Sequence, residues 1–66
     1  MPSIQGLDEV AATLRSTVGE AVFGPVSTRV LLRTGVNLRK PRPEQVEDPV
    51  ALGKVLTALL DMGYRL

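Results

Sequence analysis

Five cations, Arg29, Arg33, Arg39, Lys40 and Arg42, fall within residues 25–43, and no acid interrupts them. Guanidinium forks grip phosphates and carboxylates through paired hydrogen bonds, so this block suits a nucleic-acid backbone or an acidic partner protein. On a helix Arg29 and Arg33, four apart, share one edge. Arg39, Lys40 and Arg42 alternate with Pro41 and Pro43 in a stiff extended arm. An acidic cluster, Glu44, Glu47 and Asp48, follows at once and can neutralise the block locally. The 66 residues carry a net charge of only +1, poor support for binding that lives on summed electrostatics.

Enzyme chemistry lacks its parts. The chain has no cysteine, histidine or tryptophan, so the commonest general base, the thiolate nucleophile and the soft metal ligands are all missing. Ser16, Ser27 and the threonines have no histidine to activate them. Gly19, Gly24, Gly35, Gly53 and Gly63 stand singly and build no phosphate-cradling loop. Asp8, Glu9 and Glu20 suit the outer face of a first helix, and Glu44, Glu47 and Asp48 suit capping of a later one. Neither set has the spacing of a calcium loop. The expectation is a non-catalytic protein with no catalytic residues, no metal and no cofactor.

Three helices are expected to carry these residues. Over 7–23, Leu7, Val10, Ala11, Leu14, Val18, Ala21 and Val22 fall within an arc of roughly 120° at about 100° per residue. Gly24-Pro25 reads as its stop. Gly19 has no evident local reason, since glycine costs up to about 1 kcal/mol relative to alanine in a helix. Residues 25–34 form the second helix, with Pro25 in its first turn, Gly35 as its cap and Val36 packing back on Leu31. The alternative is an α-β-β-α fold with a hairpin at 29–39. It is disfavoured because Thr34 resists the positive φ that a tight Thr34-Gly35 turn demands. Residues 19–34 also loosely resemble a helix-turn-helix with its turn at Gly24, offering Thr28, Arg29 and Arg33 to base edges. Residues 36–47 read as an extended proline-stiffened connector. Asp48 is a good N-cap for the last helix, 49–62; Pro49 suits its first position and Gly63 its end.

That last helix is apolar over about 200° of its circumference, from Ala51, Leu52, Val55, Leu56, Ala58, Leu59, Leu60 and Met62. A helix of that kind needs cover on more than one side. A chain of this length buries only about 60% of the surface its unfolded form exposes, and with Phe23 and Tyr64 as its only aromatics it has little bulk for a core. The sequence therefore reads as one small all-α domain over 1–66 that pairs with a second copy, most simply as a homodimer. Leu52, Val55, Leu56, Leu59, Leu60 and Met62 are the expected interface. The function expected is protein–protein interaction, with the basic block offered to a partner; the alternative is a dimeric DNA-binding protein using residues 25–42. No apolar run reaches the ~18 residues of a membrane span, and no signal-peptide layout opens the chain, so a cytoplasmic location is expected.

Overall fold

The computed structural model describes residues 6–65; of the domain expected over 1–66, residues 1–5 and 66 lie outside the described residues. Four helices follow in order: α1 (Leu7–Val18), α2 (Glu20–Thr34), α3 (Pro43–Val46) and α4 (Pro49–Asp61). Among the described residues there is no strand, so the fold is all-α and the hairpin at 29–39 is not formed: Thr34 closes α2.

The first break falls at Gly19, not at Gly24-Pro25. Gly19 adopts φ 83° and ψ 162°, a region essentially closed to residues with a side chain. Its N–H donates to the Arg15 carbonyl (2.8 Å), ending α1, and its own carbonyl accepts from the Phe23 N–H (2.9 Å), starting α2. One residue thus serves both helices, which is the reason for a glycine there. Pro25 lies inside α2. It removes the hydrogen bond that residue 25 would give to Ala21. The helix tolerates it because Gly24 has no Cβ to meet the proline ring. The expected helices 7–23 and 25–34 are corrected accordingly, and the helix-turn-helix turn at Gly24 is not formed. Re-phasing at Gly19 also redistributes the apolar residues. Leu7, Val10, Ala11 and Leu14 are buried, whereas Ala21 and Val22, now on α2, face outward.

The end of α2 follows the expectation. Gly35 takes the left-handed conformation (φ 75°), and its N–H donates to the Leu31 carbonyl. Beyond it the connector does more than link. Val36 and Leu38 are each 2% exposed and join the core, while Pro43–Val46 winds into the short α3, with proline at its start. An entirely extended connector is therefore corrected. A proline supplies a helical φ without needing a donor, and α3 gains contacts with both α1 and α4. Val46 lies so close to Gly6 that a Cβ there would sit 3.0 Å from the Val46 carbonyl.

α4 begins as the sequence predicts: the Asp48 carboxylate accepts from the Val50 N–H at 2.9 Å. The helix ends at Asp61, with Met62 as its cap. α2 is the central element, packed on α1 on one side and α4 on the other. Phe23, Val26 and Val30 of α2 meet Leu7, Val10 and Leu14 of α1 and Ala51, Val55 and Leu59 of α4 in one cluster.

Candidate interaction surfaces

Two helix faces remain uncovered once this core has closed. On α4, burial of Ala51, Val55, Ala58 and Leu59 fixes the helix phase. At about 100° per residue the opposite side presents Val50, Gly53, Thr57 and Leu60. Val50 is 63% and Leu60 58% exposed. Leu52, Leu56 and Met62 are half-buried against the core edge. The six residues named as an interface are thus divided: Val55 and Leu59 lie inside the chain's own core, Leu52, Leu56 and Met62 at its margin, and Leu60 outside. A Cβ on Gly53 would meet nothing within 4 Å, so nothing within the chain requires glycine there. A groove of about 560 Å³ runs beside this face, between Arg33 and Thr34 at the end of α2 and Pro49, Val50, Gly53 and Lys54 of α4.

The second face belongs to α2. Phe23, Val26, Ser27 and Val30 point inward, so Ala21, Pro25, Thr28 and Leu32, spaced four-three-four, form the opposite stripe within about 60° of arc. All four are exposed, and Leu32, at 82%, is the most exposed large apolar residue described. Leu32 and Val50 escaped the sequence analysis. The signal for Leu32 was its phase, on the side away from Val26 and Val30 of the helix already expected over 25–34.

The cations do not gather into a single patch. Arg29 flanks one side of the α2 stripe. Arg33 lies farther round, 4.0 Å from Asp61 of α4, an exposed pair that contributes little. Arg39 reaches the other flank: a Cβ on Gly24 would sit 2.9 Å from its Nη2, so the missing side chain leaves room for the guanidinium. Asn37 fixes the approach by accepting the Arg39 N–H on its Oδ1 at 3.0 Å. Lys40 and Arg42 are exposed in the connector.

Four hydroxyls, those of Thr17, Ser27, Thr28 and Thr34, are engaged within their own helices. Ser27, 2% exposed, donates to the Gly24 carbonyl at 2.8 Å, as Thr28 does at 3.1 Å. Thr17 and Thr34 donate four residues back. Among the described residues no three carboxylates converge where they could hold a metal ion, and no helix is long and apolar enough to cross a membrane. Compared with protein-family models, curated proteins and solved structures, the chain matches none.

Proposed function

We propose that this chain is a non-catalytic interaction module that pairs with a second copy of itself through the outer face of α4. The observation that carries the reading is the exposure of Val50 and Leu60 on a helix whose other side already fills the core. Covering the exposed three-fifths of such a side chain contributes roughly 1–2 kcal/mol, and in a two-fold pair each contribution counts twice.

The charges support an identical partner. Lys54 and Asp61 lie two turns apart on the same flank of that face, with opposite sign. An antiparallel copy centred near Thr57 sets each Lys54 against the other chain's Asp61, so the face is complementary to itself.

Light scattering across a dilution series tests the reading. The parent chain is expected to shift from one to two chain masses as concentration rises, with a thermal midpoint that rises alongside. Leu60→Asp is expected to stay at one chain mass with an unchanged helical spectrum, because the substitution sits outside the core. A parent chain that keeps a single-chain mass at its highest soluble concentration refutes the proposal.

A further inference from the structure

We infer that the outer face of α2 docks an acidic amphipathic helix from a partner protein. This surface is separate from the α4 face and does not depend on self-association.

Three observations carry it. Ala21, Pro25, Thr28 and Leu32 form an exposed stripe with the four-three-four spacing by which one helix seats on another. Leu32 at its end is 82% exposed. Arg29 and Arg39 stand on the two flanks of the stripe, and among the described residues neither lies within salt-bridge distance of an acid. Arg39 comes from the connector, brought against α2 by the space above Gly24 and the Asn37 turn. The fold thus lays a cation along each side of a largely apolar track, and among the described residues neither cation has a counter-charge within salt-bridge distance.

The chemistry of the occupant follows from that pattern. It has apolar residues at helical spacing to cover Leu32 and Pro25, and carboxylates on both sides to meet the guanidinium forks. A nucleic-acid backbone satisfies the arginines but leaves Leu32, the most exposed large apolar side chain described, against phosphate and water. An acidic helix of a second copy does not fit either. α1 carries Asp8 and Glu9 only in its first turn, with its apolar side closed in the core, and α3, which carries Glu44, is a single turn.

The probe is a synthetic helical peptide of about 15 residues, some four turns, with leucines at four-three-four spacing and glutamates on both flanks. A control peptide has lysines in place of the glutamates, and a short duplex DNA is titrated in parallel. Binding is read by amide chemical shifts on the whole chain. The acidic peptide is expected to perturb α2 and residues 37–40, and the lysine control to leave them unmoved. Arg29→Glu with Arg39→Glu weakens binding about tenfold or more, and Leu32→Ser about fivefold, with thermal midpoints unchanged because all three side chains are exposed. Gly24→Ala displaces the Arg39 guanidinium without altering any charge, so it weakens the peptide; because it also sets a Cβ against the Pro25 ring, it lowers the thermal midpoint, and binding is read well below that midpoint. Leu60→Asp binds the peptide as the parent does, so failure of the pairing reading is separable from failure of this one. The inference is overturned if the acidic peptide leaves α2 unperturbed, if Leu32→Ser and the arginine reversals leave affinity unchanged, or if duplex DNA binds the same face more tightly than the peptide.

Discussion

Alanine placed at Gly19 and at Gly53 is expected to change stability in opposite directions. At both positions the added methyl meets nothing within 4 Å, so packing contributes to neither substitution and the backbone decides. Gly53 sits in the interior of α4, where alanine is favoured by up to about 1 kcal/mol. Gly19 holds φ 83° and ψ 162°, where a non-glycine residue costs about 1–3 kcal/mol. In a domain of this size each kcal/mol moves the midpoint by roughly 4–8 °C. Gly53→Ala should therefore raise Tm by up to about 8 °C, and Gly19→Ala should lower it by about 4–24 °C. D-alanine at position 19, introduced by chemical synthesis, keeps the methyl but suits the positive φ, and should recover at least the parent midpoint. The assay is circular-dichroism melting at high dilution, where self-association adds nothing. Equal shifts for the two L-alanine variants, or a D-alanine chain as weak as its L counterpart, would refute the account of Gly19 as a corner held by its dihedral angles.

Leu59→Asp is expected to unfold the chain at any concentration, since Leu59 is 1% exposed and an uncompensated charge there is costly; a helical spectrum at room temperature checks it against Leu60→Asp. Asp48→Ala should cost about 1 kcal/mol by removing the cap on the Val50 N–H, and Asp48→Asn distinctly less; chemical denaturation measures both. Arg15 lies 4.4 Å from the centre of the Phe23 ring and 3.3 Å from Glu20 across the Gly19 corner. Arg15→Ala should cost about 0.5–1 kcal/mol, most of it from the ring contact, so Glu20→Ala alone should change the denaturation midpoint very little.

The parts legible in the sequence are those fixed by a local, one-residue signal. Asp48-Pro49 announced α4 because the side-chain cap and the donor-free first position act within a single turn. Gly35 announced the end of α2 for a similar reason. The first break was misplaced because Gly24-Pro25 carries the stronger local stop. That stop is overridden by burial of Phe23, Val26 and Val30 on one continuous helix face, a tertiary effect. Gly19 lacked any companion proline and offered only its small propensity cost. The sequence places Val36 only against Leu31, and Leu38 only in the connector or the alternative hairpin, so their place in the core depends on where the connector returns. Among the named site residues, Leu60 is exposed as an interface needs, whereas Val55 and Leu59 are not. An apolar arc measured on an isolated helix cannot say which half its own chain will take.

A corner made of one residue has a kinetic consequence. α1 and α2 are neighbours in sequence with no slack between them, so bringing them together loses almost no loop entropy. α4 must instead return across the whole connector, which makes its docking the late step. Truncations in the corner, such as Leu14→Ala, should then mainly slow refolding, whereas Val55→Ala should mainly hasten unfolding. The corner glycine is thus expected to set the order of assembly as well as the angle.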